Sequence, residues 1–240
     1  MDYTEVKSAM NYLHKDGVAS EVKKYKSISY IKTLPEGYDE NKKYPVLLFL
    51  HGAGSRAESS EMKVKDNPFF EAMGKREKFP FIIIAPQCHA DTWFDIFQEL
   101  KELILSEANS PQADLNRVYA IGASMGGYGV WQAAMSLPDT FAAIVPICGG
   151  GMYWNAGRLK SVAVWAFHGR LDDCVLCRES EKMVDAVRKC GGEAKLTIYE
   201  DCEHASWNGA YAEPELLDWM LSHTKEKYER GDKLTGFQFG

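Results

Sequence analysis

Gly122-Ala123-Ser124-Met125-Gly126 is a G-x-S-x-G pattern set between an apolar run ending at Ile121 and a helix-like segment from Gly127. A nucleophile on a strand-to-helix turn has a strained backbone and needs small neighbours, because a bulky side chain at 122 or 126 would collide with strand or helix. Ser124 is therefore expected to project from the carboxyl end of a sheet. The first N–H groups of the following helix would face the charge that develops on an acyl oxygen, with the Met125 N–H as the expected donor. Leu50-His51-Gly52-Ala53-Gly54 follows another apolar run. Its glycines allow a second N–H, from Ala53 or next from Gly54, to turn toward the same oxygen.

A serine hydroxyl is too weak an acid to attack unaided, so a histidine must take its proton and a carboxylate must orient that histidine. Phe167-His168-Gly169-Arg170-Leu171-Asp172-Asp173 ends one apolar run, and Glu200-Asp201-Cys202-Glu203-His204 ends the next. Either Asp172 or Asp173 is placed to be the acid, and His204 to be the base, giving the chain order Ser, Asp, His. His51 and His168 each precede a glycine at a strand end, where an imidazole more often braces a turn than performs chemistry. His204 must be neutral to accept the proton, so activity should rise through a pH near about 6.5.

The elements that must hold these groups alternate. Val46–Leu50, Phe81–Ile84, Arg117–Ile121, Ala142–Val145, Val162–Trp165 and Lys195–Ile198 are short apolar or β-branched runs. Such runs suit strands buried on both faces. Between them lie helix-like segments at Phe94–Ala108, Gly127–Ser136, Arg178–Lys189 and Glu213–Ser222. The expected fold is α/β, a mostly parallel central sheet with helices on both faces. One further strand is expected from Tyr25 through Lys32, ahead of a turn at Leu34-Pro35-Glu36-Gly37. Residues 55–79 lack a clear pattern beyond a short helix near Phe69–Met73, and could partly cover the site. Val6, Met10 and Leu13 suggest a helix over 4–15, and residues 225–240 read as a polar, loosely attached tail. Without repeats or a linker, residues 1–240 read as a single domain with its core over about 25–222.

Composition excludes several classes. Lys and Arg number 28 against 34 Asp and Glu, a net charge of −6, and basic residues occur only in pairs such as Lys23-Lys24. That disfavours nucleic acid and anionic membrane surfaces as partners. The apolar runs are far shorter than the roughly 20 residues of a membrane-spanning helix. Charged residues interrupt any signal-peptide core at the N-terminus, so a cytoplasmic protein is expected. The six cysteines are expected to be mostly reduced and buried, with pairing of Cys174 and Cys202 as an alternative. Cys174-x-x-Cys177 has redox spacing but not the thioredoxin setting, and no second pair completes a zinc site. No phosphate loop, zinc-protease motif or dinucleotide fingerprint occurs, so no cofactor or metal is expected.

Five ordered stretches, LFLHGAG, IAPQC, GASMGGYGVW, AFHGRLDD and EHASW, resemble the α/β-hydrolases over about residues 25–222. The chain looks most like the small branch that holds feruloyl and acetyl esterases and proteins labelled predicted peptidases. By that resemblance Asp172 matches the triad acid, with Asp173 as fallback. The chain reads Cys174-Val175-Leu176-Cys177 where relatives often carry Val-Pro, so the acid loop departs from the family pattern. The resemblance implies ester hydrolysis through an acyl-enzyme, on short acyl or aromatic esters of carbohydrates, the substrate being a small molecule or an oligosaccharide. Trp93, Trp207 and Tyr128 adjoin the motif loops and are candidates to line an acyl or aryl pocket. A peptidase of the same fold is the first rival; a non-catalytic binding protein or a thiol oxidoreductase using Cys174 and Cys177 is the rival from another class.

Overall fold

The computed structural model describes residues 20–76 and 79–225. The helix expected over 4–15 and nearly all of the expected 225–240 tail lie outside them. Lys225, the first residue of that tail, is buried, and its Nζ donates to the Pro138 and Ser161 carbonyls at 2.8 and 3.2 Å.

Among the described residues, eight strands form one sheet in the order β1-β2-β4-β3-β5-β6-β7-β8. They are β1 (Ser20–Tyr25), β2 (Ile28–Thr33), β3 (Tyr44–Leu50), β4 (Ile82–Pro86), β5 (Ala113–Ala123), β6 (Ala143–Ile147), β7 (Ala163–Gly169) and β8 (Ala194–Tyr199). β3 to β8 pair in parallel, while β1 and β2 form an antiparallel edge joined to β4. Successive strand side chains point to opposite faces, so an apolar run feeds two cores at once. Val46, Leu48 and Leu50 enter one core, with α2 (Phe97–Ala108), α3 (Met125–Ser136) and α4 (Arg178–Lys189) packed on it. Leu47 and Phe49 enter the other, under α1 (Pro68–Gly74), α5 (Trp207–Ala212) and α6 (Leu216–Ser222). Phe49 stacks on Phe69 of α1 with ring centroids 4.1 Å apart. Helices on both faces of a mostly parallel sheet agree with the expected fold class.

Local chemistry sets the helix ends. The Asn67 side chain accepts the Phe69 N–H at 3.0 Å and Pro68 opens α1, a capped start. In α4, Ser180, Met183, Val184 and Val187 face inward at helical spacing, with Glu179 and Glu181 in the first turn and Arg188 and Lys189 in the last. It ends at Gly191, φ 79°, where the Gly192 N–H reaches the Val187 carbonyl at 3.0 Å.

Four expectations need correction. The strand read from Tyr25 is two strands, with a turn at Lys26-Ser27 in which Lys26 has φ 51°. β1 is a polar edge strand whose turn lacks glycine and asparagine, so neither signalled itself, and the sheet begins at Ser20. The helix expected from Phe94 begins at Phe97, because Asp95 turns back to accept the Thr92 N–H and hydroxyl at 2.8 and 2.7 Å. α3 begins at Met125, two residues before Gly127, since both glycines fit inside it. The helix expected over Glu213–Ser222 begins at Leu216, as α6; α5, Trp207–Ala212, is an additional helix before it, and Pro214 lies between the two, unable to continue a helix begun at Trp207.

Candidate active site

Ser124 occupies the turn from β5 into α3 with φ 55° and ψ −119°, a conformation L residues rarely adopt. Its N–H donates to the Ile147 carbonyl at 2.9 Å, which ties the turn to β6. The flanking glycines are sterically required. A Cβ on Gly126 would lie 1.9 Å from the Leu50 oxygen, and one on Gly122 would lie 2.6 Å from the Gly126 oxygen. Packed this tightly, the turn holds the hydroxyl at the carboxyl end of the sheet.

His204, on the loop after β8, accepts from or donates to both neighbours: Nε2 is 2.9 Å from Ser124 Oγ and Nδ1 is 2.7 Å from Asp172 Oδ2. A carboxylate only accepts, so Nδ1 carries a proton and Nε2 is free to take one from the hydroxyl. Asp172 is buried, and its Oδ1 accepts the N–H groups of Cys174 and Val175 at 3.0 and 2.9 Å. Asp173 is exposed, with Cys174 beside it, so the structure brings Asp172 and not the fallback to the imidazole. The loops bearing Asp172 and His204 can meet because residue 169 is glycine: a Cβ there would lie 2.1 Å from the Glu203 oxygen. The Leu171 N–H then bonds the Cys202 carbonyl at 3.0 Å.

On the other side of Ser124, Gly52 packs against the turn, where a Cβ would lie 3.2 Å from the Ala123 oxygen. The short 3-10 turn Ala53–Ser55 begins here. Its Ser55 and Arg56 N–H groups bond back to Gly52 and Ala53. The Ala53 and Gly54 N–H groups, like that of Met125 at the start of α3, have no acceptor inside their own turn. His51 braces this loop. Its Nδ1 donates to the Gly52 carbonyl at 2.8 Å, and its Nε2 accepts the Cys88 N–H at 2.9 Å. Burial lowers its pKa to about 4, so the ring is neutral. Gln87 extends the brace, donating to the Ser55 carbonyl at 2.8 Å and accepting the Val64 N–H at 2.9 Å.

A family model described as Phospholipase/Carboxylesterase matches residues 79–213. The chain belongs to this family. It is similar to three curated proteins, each over part of its length. Endo-1,4-beta-xylanase Y of Acetivibrio thermocellus is 28% identical over 150 residues, 55% of this chain and 14% of that one. Dipeptidyl-peptidase 5 of Porphyromonas gingivalis is 24% identical over 224 residues, 71% of this chain and 32% of that one. The probable feruloyl esterase C of Aspergillus terreus is 26% identical over 151 residues, 61% of this chain and 55% of that one. The chain thus spans between about a seventh and about half of these relatives. Among solved structures, a thermostable esterase superposes with TM-score 0.68 at 28% identity, covering 88% of this chain and 64% of the esterase. Its fold is that of the α/β-hydrolases.

In this member of the carboxylesterase family a cleft of about 390 Å³ opens beside Ser124 and His204. Its walls are Gly52–Ser55 on one side, Asn67 and Pro68 at the start of α1, and Trp207 and Tyr211 on α5. Segment 55–79 does contribute to the cover, through Asn67 and Pro68. Trp207 stands edge-on to His204, ring centroids 5.4 Å apart at 90°.

Two aromatic expectations fail. Trp93 is wholly buried and its indole donates to the His51 carbonyl at 3.0 Å, so it supports the Gly52–Ser55 loop from beneath and does not line the cleft. Tyr128 does not line this cleft; its ring lies beside Gly150, where a Cβ would lie 3.1 Å from it. Asn67, Pro68 and Tyr211 went unnoticed in sequence, although Tyr211 falls one helical turn after Trp207.

The cysteines are all free; Cys88, Cys148 and Cys177 are buried, whereas Cys174 and Cys190 are exposed. Cys174 and Cys202 are therefore unpaired, and half of the six, not most, are buried. Desolvation raises the Cys174 and Cys177 thiols, aided by carboxylates at Asp173 and Glu181 respectively. That is the opposite of the depressed pKa a redox thiol needs. Among the described residues, Cys148, Asp172 and His204 place potential metal-ligand atoms within 4.8 Å of one another, as do Asp172, Asp173 and Cys174. Both groups depend on Asp172, whose two oxygens are already committed to His204, Cys174 and Val175. No helix among the described residues is long and apolar enough to cross a membrane.

Proposed function

We propose that this protein is a serine ester hydrolase with Ser124 as nucleophile, His204 as base and then acid, and Asp172 as orienter of the imidazole. The observation that carries the reading is the continuous line Asp172–His204–Ser124, at 2.7 and 2.9 Å, ending on a hydroxyl held in a strained turn. Ser124 Oγ attacks the acyl carbon as its proton passes to His204 Nε2, and the Met125 and Ala53 N–H groups receive the charge on the acyl oxygen. The alcohol leaves with the proton from His204, and water repeats the sequence on the acyl-enzyme to release the acid.

The substrate in this reading is a short acyl or aromatic ester of a carbohydrate. An open cleft of about 390 Å³, with Trp207 and Tyr211 on its wall, suits a compact or planar acyl group. A feruloyl esterase and a xylanase among the relatives support it. The peptidase relative keeps the amide alternative in view. The net charge of −6 supports a small-molecule or oligosaccharide substrate over nucleic acid or a membrane surface, six free thiols support the cytoplasm, and one continuous sheet supports a single domain.

Hydrolysis of acetyl and feruloyl aryl esters by wild type and Ser124→Ala tests mechanism and acyl size together. The expected result is turnover of one or both esters, lost by about a thousandfold or more in the variant. Equal activity in the two proteins would remove Ser124 from the mechanism. Cleavage of dipeptidyl amides but neither ester would favour the peptidase.

A further inference from the structure

Asp172 has a second imidazole against it. His168, at the end of β7, is fully buried, and its Nε2 lies 3.2 Å from Asp172 Oδ2, the oxygen that also receives His204. The same Nε2 is 2.8 Å from the Val175 carbonyl. A carbonyl and a carboxylate both only accept, so Nε2 must bear hydrogen. The other ring nitrogen, Nδ1, is 2.7 Å from Ser180 Oγ, which is 3.0 Å from the Gly149 carbonyl. If the single serine proton goes to Gly149, Nδ1 also carries hydrogen; if it goes to Nδ1, the ring is neutral. Nε2–H is the same in both cases. His168 therefore links the end of β6, the acid loop and the first turn of α4, around the one carboxylate that faces His204.

We propose that His168 is a positioning residue for the acid: its Nε2–H, shared between the Val175 carbonyl and Asp172 Oδ2, fixes the carboxylate's direction and weakens its hold on His204. The proposal rests on the serine-hydrolase reading above. A carboxylate oxygen relieved of one donor is a stronger acceptor for the other, so losing His168 stabilises the protonated imidazole of His204. The acid limb of kcat/KM then moves to higher pH. The other titratable groups facing Asp172 do not confuse this limb. Tyr128 from α3, Cys148 after β6, Cys202 on the histidine loop, and Cys174 and Cys177 on the acid loop are all held above their ordinary values, chiefly by desolvation, and stay neutral across it. Asp173 is the adjacent charge and is present in every variant.

The test compares His168→Leu, which removes the donor, with His168→Gln, whose amide nitrogen restores one near Nε2. Leucine should lower kcat about 10- to 100-fold with KM within about twofold, and raise the acid limb by about half a pH unit; glutamine should recover most of both. A leucine variant with wild-type kcat and acid limb overturns the proposal. So does a loss of kcat without a shifted limb that glutamine fails to rescue, since that pattern belongs to packing alone. Wild-type protein labelled with ¹⁵N-histidine gives a readout independent of variant folding: His168 Nε2 should remain protonated from about pH 5 to 9, and an unprotonated Nε2 overturns the proposal. Ser124→Ala, run in parallel, separates the premise. If it keeps wild-type turnover the serine reading itself fails, whereas an inert Ser124→Ala beside an unaffected His168→Leu defeats only the role of His168.

Discussion

Asp172→Asn is isosteric, so the consequence turns on which way the amide faces. The carboxylate Oδ1 accepts two backbone N–H groups, from Cys174 and Val175, while Oδ2 faces His204 Nδ1 and His168 Nε2. An amide placed with its oxygen toward the backbone keeps both of those bonds and presents NH2 to the two imidazoles. Reversed, it sets NH2 against two buried backbone donors. Leaving a buried donor unmet costs about 1–3 kcal/mol, so the reversed orientation forfeits about 2–6 kcal/mol. The first orientation forfeits only the His168 contact, because His204 can move its proton from Nδ1 to Nε2 and accept from the amide. It is thus favoured by about 1–3 kcal/mol, and in it Nε2 carries a proton and cannot act as base. Orientation alone removes about 10- to 100-fold in rate, at 1.4 kcal/mol per factor of ten. Loss of the negative charge beside a developing imidazolium removes more, for a total of about 10⁴-fold. The assay is kcat/KM on the better aryl ester, alongside the labelling rate with a fluorophosphonate and a thermal melt to show that the fold is intact. A folded Asp172→Asn enzyme that keeps more than about a tenth of wild-type activity would refute the orientation argument.

Three further outcomes follow from the geometry. Burial depresses the His51 pKa to about 4. Between about 6.5 and that value only the unfolded chain binds the proton, so stability falls as pH drops through this window, by up to about 3 kcal/mol. Denaturant unfolding at intervals from about pH 7 to 4 should show the fall, and a curve flat over that window would contradict the neutral buried ring. Gly126→Ala places a Cβ 1.9 Å from the Leu50 oxygen, so β3 and α3 must separate. A loss of more than about 3 kcal/mol, or no soluble protein, is expected, and a wild-type melting temperature would show the turn to be looser than described. Trp207→Ala removes an aromatic wall of the cleft. It should raise KM for a feruloyl ester about tenfold while changing an acetyl ester by less than about threefold, and equal effects on both would detach Trp207 from acyl selection.

What could be read from the residues alone follows a physical boundary. Ser124 and its glycines were legible because their pattern is contiguous, although the atoms that exclude a Cβ at 126, and one of those that exclude it at 122, belong to Leu50 and His51 at the distant end of β3. The parallel strands were legible because burial on both faces leaves a continuous apolar run. The edge strand β1, mostly polar and turned by Lys26-Ser27, carries no such mark. Choosing between Asp172 and Asp173 was not a local question. Only the fold shows that the N–H groups of Cys174 and Val175 converge on Asp172, and that Gly169 lets the histidine loop cross beside it.

Trp93 illustrates the opposite error, in which nearness to a motif was mistaken for nearness to substrate. Its indole N–H answers the His51 carbonyl, and that imidazole in turn accepts the Cys88 N–H. The loop presenting Ala53 is therefore held from below by groups on β3 and the segment after β4, far apart in sequence. A buried polar group must find its partner wherever the fold supplies one, so such partners leave no spacing in the chain. The same reasoning separates His51 from His204, both loop imidazoles at strand ends. One is enclosed and has both ring nitrogens answered by backbone; the other is partly open to the cleft and has Nε2 directed at a hydroxyl. Exposure to the cleft together with an uncommitted proton acceptor is what distinguishes a base from a brace, and neither property is encoded by residue type.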